Sequence, residues 1–262
     1  MKIDLTGKNA IVGGASQGLG FSIARQFAIC GANLILISRS EEKLMKAIKQ
    51  LPNNGSQIFR YFVADFSNPT SFQEDLKKFI SEIGNIHILV NNSGGPSSGA
   101  ANSAKLEDYI SAFNSHLLSF QSLVQLVLSG MKAEKFGRII NITSVGAKQP
   151  IDNLGVSNTI RGAVSSWAKI LSRELAPFGI TVNNILPGYI ATERLSYLFQ
   201  NLAERNQTTL DFEFHKLAND IPAGRIGNPE EIGYVAAFLA SNYANYITGI
   251  NLPVDGGYLR TL

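Results

Sequence analysis

Cysteine is almost absent: Cys30 is the only one in 262 residues. That excludes an intramolecular disulfide and a cysteine-built metal cluster, and it fits a reducing compartment. Its place in the apolar run IARQFAIC suits a packed thiol rather than a reactive one. Histidine is scarce too. His87, His116 and His215 have no metal-ligand spacing, so no metal site is expected and all three read as structural. Charge of one sign does not dominate, since 23 Lys and Arg stand against 20 Asp and Glu, a net +3. The densest basic group, Lys132, Lys135 and Arg138, lies between an apolar helical stretch and a strand, and reads as solvated surface rather than a nucleic-acid patch. No apolar run approaches the ~20 residues of a membrane span, and the first expected strand begins near Asn9, leaving no room for a signal peptide. Repeats, low-complexity tracts and interdomain linkers are missing, as are a nucleophile elbow and a Walker lysine motif. A soluble, cytoplasmic protein that binds neither nucleic acid nor membrane is expected.

What is abundant is apolar sequence, 45% of the chain, enough for one large core. Short apolar runs alternate with helical periodicity. Strands are expected at 10–13, 34–37, 58–64, 88–91, 138–143, 181–186 and 249–254, and helices at 18–29, 41–51, 71–83, 106–131, 159–175 and 229–239. The strand runs are apolar on both faces, as in a parallel sheet covered on each side. The fold class is therefore α/β: a doubly wound, seven-stranded, mostly parallel sheet between two layers of helices, with ligands at the carboxyl ends of the strands. The longest departure from the alternation is 189–225, where Leu195, Leu198, Phe199 and Leu202 have helical spacing. Pro229 with Glu230 and Glu231 behind it makes a good helix start.

After the first strand come Gly13, Gly14, Ala15, Ser16, Gln17, Gly18, Leu19 and Gly20, then a helix. Glycines here let the backbone turn tightly and approach a pyrophosphate, while the helix start offers N–H groups to the anion. A glycine cluster alone marks only a tight turn; its place between strand and helix makes it a nucleotide signal. At the end of the second strand an acidic residue would hold a ribose 2′-hydroxyl, but the chain has Ser38 and Arg39. Arg39 can fork onto a phosphate and Ser38 adds a small donor, which favours NADP(H) over NAD(H). Arg39 as a surface residue beside the next helix is the plainer alternative.

The chain resembles the short-chain dehydrogenase/reductase family over residues 5–257, and its pattern is nearest to 3-oxoacyl-[acyl-carrier-protein] reductase-like members. Gly14, Gly18 and Gly20 have that family's GxxxGxG spacing, with Gly13 where a Thr is usual and Gln17 where NADP-dependent relatives often carry a cation. The resemblance implies a single Rossmann domain over 1–262, with 189–225 as a helical lid over the substrate. It implies that Asp65 and Phe66, ending the third strand, contact the adenine; Asp65 could equally cap a helix before Pro69. Asn92, Ser93 and Gly94 match the NNAG run beneath the cofactor. Pro187, Gly188, Tyr189, Ile190 and Thr192 match the loop that touches the nicotinamide carboxamide and pyrophosphate. Residues 221–231 and 247–257 match motifs that support the last strand and a subunit interface, which implies a homotetramer or homodimer through the long helices 106–131 and 159–175.

The family's catalytic set is a Ser, a Tyr thirteen positions on, a Lys four further, and a helix Asn. The chain has Ser144 and Asn114, with Ser157 and Arg161 at the Tyr and Lys positions. Ser144 could otherwise be a strand-end turn and Asn114 a satisfied helix polar group. Ser157 and Arg161 keep the i, i+4 relation that puts both on one helix face. An aliphatic hydroxyl is far less acidic than a phenol of pKa ~10, and Arg161 can bind the cofactor's ribose hydroxyls but is a poor proton relay. Losing a positioned acid costs roughly 10²–10⁴ in rate if nothing replaces it. Three replacements present themselves: Arg161 as an electrophile with water supplying the proton, Tyr189 swinging in from the lid, or Lys148 reaching the pocket mouth. Surface or packing roles suit Tyr189 and Lys148 as well. The expected function is an NADP(H)-dependent oxidoreductase acting on a small-molecule carbonyl/alcohol pair or a 3-oxoacyl thioester. A nucleotide-binding pseudoenzyme, sensing redox state or serving as a partner subunit, is the alternative, and a non-redox activity in the same pocket is a third. Tyr197, Leu198, Phe199 and Leu202 suggest an apolar ligand; Arg161 suggests an anionic one.

Overall fold

Runs of Ile, Leu and Val flanked by glycine and asparagine become strands because both faces can be buried. In the computed structural model, which describes residues 2–261, these are β1 (Asn9–Gly13), β2 (Asn33–Ser38), β3 (Phe59–Val63), β4 (Ile88–Asn91), β5 (Gly137–Ile142), β6 (Ile180–Pro187) and β7 (Asn251–Val254). They form one sheet in the order β3-β2-β1-β4-β5-β6-β7. Every pairing is parallel, rather than mostly so. The chain order reverses between β1 and β4, and a crevice opens beyond their carboxyl ends.

The helices are α1 (Gly18–Ile29), α2 (Glu41–Gln50), α3 (Gln73–Ser81), α4 (Leu106–Phe113), α5 (Ser119–Glu134), α6 (Gly155–Leu175), α7 (Glu193–Asn206), α8 (Leu210–Asp220) and α9 (Pro229–Ala240). One face of the sheet is covered by Phe27 of α1, Leu44 of α2 and Ile232 of α9. The other is covered by Leu76 of α3, Leu123 of α5 and Ala168 of α6. Each buried Leu or Ile contributes roughly 1.5–3 kcal/mol, which fixes both layers to the sheet. Cys30 packs half-buried against the first of these clusters, and burial raises its thiol pKa.

Three features depart from the expected pattern. The stretch 106–131 is not one helix. Between α4 and α5 the segment Asn114–Leu118 widens to π-helical bonding, with Ser119 N–H donating to Asn114 O. The cause is local: Ser115 Oγ donates to Ser111 O at 2.8 Å and Ser119 Oγ to Ser115 O at 2.7 Å, drawing carbonyls away from the regular ladder. Second, the strands are not purely apolar. Asn91, Asn141, Asn184 and Asn251 lie in register across β4 to β7, and their side-chain amides bond in series at 2.8, 2.8 and 2.7 Å. Third, Arg138 is not solvated surface. It is 2% exposed, its guanidinium lies 4.1 Å over the Phe136 ring, and it donates to Gly137 O and Asn245 Oδ1. Its place on an interior strand leaves the side chain nowhere else to go. Among the described residues no helix is long and apolar enough to cross a membrane.

Candidate functional site

The glycine loop is built by close approach. A Cβ at Gly13 would lie 2.7 Å from Asn92 O, so the residue that replaces the family's Thr has no room for a side chain. Asn92 Nδ2 donates to Gly13 O at 3.0 Å and ties the β4 end to the loop. Gly18 has φ +59°, which L side chains rarely adopt. Gln17 is the N-cap of α1 but does not cap it. Its Oε1 accepts from Lys43 Nζ at 2.7 Å and its Nε2 donates to Glu193 Oε2 at 2.9 Å. The first-turn N–H groups of α1 are thereby left for an anion.

A cavity of about 840 Å³ lies over this loop. Gly14, Ser16 and Gln17 form its floor, Ser38, Arg39, Lys43, Asp65 and Phe66 one end, and Ser93, Gly94, His116 and Arg194 the other. The Ser38 hydroxyl is buried without a hydrogen-bond partner. A buried hydroxyl in that state is costly unless a ligand answers it. Arg39 is exposed beside it. Lys43, from the first turn of α2, places a cation in the same wall, bonded to Gln17. The sequence signal was its place three residues after Ser40, which caps α2 by accepting from Lys43 N–H at 3.3 Å. The donors and the tight glycine floor fit an adenine dinucleotide with an anion on its ribose. Asp65 turns one carboxylate oxygen to Ser67 N–H at 2.9 Å, so it shapes the turn as well as lining the cavity.

On the far side, Pro187 ends β6, a Cβ at Gly188 would press on Asp255, and Ile190 is 6% exposed. Thr192 caps α7 by accepting from Leu195 N–H at 3.3 Å. Leu19 and Gly20 sit in the first turn of α1.

Three of the four expected catalytic positions meet at the end of β5. Arg161, on α6, donates from Nε to Ser157 Oγ at 3.3 Å and from Nη1 to Thr143 O at 2.6 Å and Ile142 O at 3.1 Å. Ser144 follows directly and accepts from Gly146 N–H at 3.0 Å. Burial first, then the charge of Arg194, lowers the Arg161 guanidinium to about 10, still cationic at neutral pH. Asn114 opens the π-helical segment and is half-buried; Asn114, Ser144, Ser157 and Arg161 all lie behind the cavity wall, whereas Ser115, His116 and Arg194 are in it. Lys148, half-buried, closes the single turn Val145–Ala147. Tyr189 packs edge-on against Tyr258 and Phe199. Burial, with help from Tyr258 and Asp220, raises its phenol pKa, the wrong direction for an acid.

His116, expected to be structural, packs edge-on against Phe120 and also reaches the cavity wall. It is 1% exposed, its Nδ1 lies 2.8 Å from Ser93 Oγ, and its Nε2 has no partner. Burial, then Arg161 and Arg194, lowers it to about 3, so the ring is neutral at working pH. Among the described residues no cluster of His, Cys, Asp and Glu could hold a metal.

A family model described as enoyl-(acyl carrier protein) reductase matches residues 14–259. The chain is 36% identical over 257 residues to the 3-oxoacyl-[acyl-carrier-protein] reductase FabG of Vibrio cholerae, covering 97% of this chain and 98% of that one. It is 31% identical over 257 residues to the NADPH-dependent reductase BacG of Bacillus subtilis, covering 97% and 99%. The crystal structure of L-sorbose reductase from Gluconobacter frateurii, complexed with NADPH and L-sorbose, matches with a TM-score of 0.94 at 29% identity over 100% of both chains. With that match and a nucleotide crevice at the reversal of its sheet, the chain belongs to the short-chain dehydrogenase/reductase family, as a member similar to 3-oxoacyl-[acyl-carrier-protein] reductases.

Proposed function

We propose that the chain is an NADP(H)-dependent oxidoreductase interconverting a carbonyl and its alcohol, with 3-oxoacyl thioesters among its candidate substrates, through an altered catalytic set. One observation carries the cofactor choice: the partnerless Ser38 hydroxyl stands beside Arg39 and Lys43 in the wall that also holds the glycine loop. Relatives named for NADPH support the same choice. When bound, the nicotinamide supplies or accepts the hydride. The chain must orient the carbonyl, stabilise charge on its oxygen and provide for a proton. Ser144 accepts from Gly146 N–H, so its own proton is available to the carbonyl oxygen. Arg161 holds a fixed cation at the same strand end and stabilises the developing alkoxide, while water supplies the proton. Tyr189, with its raised pKa, is left a packing role. Helices α7 and α8 act as the lid, and Arg194 closes it by donating to Gly95 O and Pro96 O, each at 2.7 Å.

The test is NADPH oxidation over ketones, aldehydes and 3-oxoacyl thioesters, with the wild type beside Arg161→Ala and the Ser157→Tyr/Arg161→Lys double variant. Wild-type turnover that Arg161→Ala lowers at least 10²-fold, with NADPH affinity nearly intact, is the expected result. Unchanged turnover in Arg161→Ala removes Arg161 from the chemistry. The second reading, a dinucleotide-binding partner or redox sensor without turnover, draws on the commitment of Arg161 to two carbonyls and Ser157. It predicts NADPH binding with turnover only in the double variant. A homodimer or homotetramer is proposed for the assembly, from the apolar residues that α4 leaves in solvent.

A further inference from the structure

At one end of the cavity, Arg194 in the wall and Arg161 behind it bring positive charge together without a counter-charge. A methyl group placed on Gly95 would touch two guanidiniums at once, 2.9 Å from Arg194 Nη2 and 3.3 Å from Arg161 Nη2. Among the described residues the ion pairs are Lys46–Glu42, His87–Glu134 and Arg225–Glu231, so neither arginine is paired with a carboxylate. The cavity's own acids are turned elsewhere, Asp65 to Ser67 N–H and Asp108 to Lys105 N–H. His116 adds an independent sign. It is 1% exposed, lies in the wall beside Arg194, fixes Nδ1 on Ser93, and keeps a partnerless Nε2. Two like charges and a buried ring nitrogen gathered at one end of the cavity, answered only by backbone carbonyls and the Ser157 hydroxyl and by no carboxylate, are unfavourable until an anion enters.

We propose that Arg194, with His116 Nε2 and in the field of the Arg161 cation behind it, binds the carboxylate of the substrate, so that the compound reduced is an oxo acid. The proposal rests on the reductase reading and narrows its substrate class. Arg194 is open to the cavity and its planar fork suits a carboxylate. Arg161 lies deeper, anchored by Nη1 to β5, and turns Nη2 toward the same point. His116, neutral at working pH, offers Nε2–H when Nδ1 accepts from Ser93. A phosphate of the cofactor has the same chemistry and is the competing source.

The experiment is calorimetric titration of the protein, alone and loaded with NADP⁺, with 2-, 4- and 5-oxohexanoate, each beside its methyl ester, and a separate titration with NADPH. Wild type is compared with Arg194→Gln and with Gly95→Ala, which puts a methyl between the guanidiniums without demanding a new backbone conformation. The expected result is at least tenfold tighter binding of one acid than of its ester. Each variant loses that acid at least tenfold while NADPH changes less than threefold. Equal binding of acid and ester, or none of either, overturns the proposal. So does a loss of NADPH as large as the loss of acid, which would assign the site to the cofactor's phosphate. Acid binding without dinucleotide binding leaves the subsite standing and removes the reductase reading. NADPH-driven turnover confined to neutral ketones removes the subsite and leaves the reductase reading.

Discussion

On the proposed reading, Arg39 and Lys43 in the cavity wall make the cofactor choice a matter of two side chains. An exposed phosphate answered by a charge-assisted fork gains about 1.5–3 kcal/mol, and NADH has no such phosphate. Arg39→Ala should therefore weaken NADPH roughly 10–100-fold in a fluorescence titration while NADH changes little, and adding Lys43→Ala should weaken NADPH further. Equal loss of both dinucleotides would mean that these residues hold the loop rather than the phosphate. The place of Arg39 in the cavity wall was legible because it directly follows a strand end. Lys43 was not, because its reach back to Gln17 depends on how α2 lies against the glycine loop. His116 was hidden for a different reason: it follows Asp108 and Ala112 at helical spacing along the cavity wall, and nothing in the sequence marks which face of that helix meets the cavity. Arg138 shows the converse, a charge that sequence spacing puts at the surface and an interior strand buries.

At the level of elements, capped helices were legible and interrupted ones were not. Pro229 opens α9 as its sequence suggests, and Asn228 with Glu231 completes a capping box there. Glu231 Oε2 accepts from Asn228 N–H at 2.7 Å, and Arg225 forks onto both carboxylate oxygens at 2.7 and 2.8 Å. The Arg225 hydrogen bond, then the backbone N–H, holds the carboxyl at about 2. Its depressed pKa means that the stabilisation is present above the ordinary carboxylate range and is lost as pH falls from about 4.5 through about 2. Because the site is partly solvated, Glu231→Ala should cost about 1 kcal/mol in urea unfolding at pH 7. The gap between variant and wild type should narrow as the pH approaches 2. A gap that stays constant with pH would deny the ion pair any part in it. The break between α4 and α5 had no such punctuation. Serine hydroxyls bonding four residues back produce it, and those residues look ordinary in a helical window.

At the scale of the molecule, a doubly wound, mostly parallel sheet followed from alternating runs and from the need to cover both faces, so the location of the crevice came with the fold, and the structure makes every pairing parallel. The assembly does not follow in that way, because an interface is recognised only by what the folded chain leaves uncovered. Here α4 leaves Leu106 76%, Ile110 60% and Phe113 38% exposed, with Leu118 40% exposed just beyond it. Leu106, Ile110 and Phe113 stand at i, i+4 and i+7, one stripe of a helix, while Ala112 of the same helix packs inward on Val156 and Ile160 of α6. A monomer gains nothing from such a stripe in water, whereas a second copy laid against it would bury all three residues. Ile110→Asp places a charge at the centre of the stripe without touching that inward face. Sedimentation velocity should give a dimer or tetramer for the wild type and a smaller species for the variant, with far-UV circular dichroism unchanged. A wild type that sediments as a single chain at micromolar concentration would leave α4 a solvent-facing helix and remove the proposed assembly.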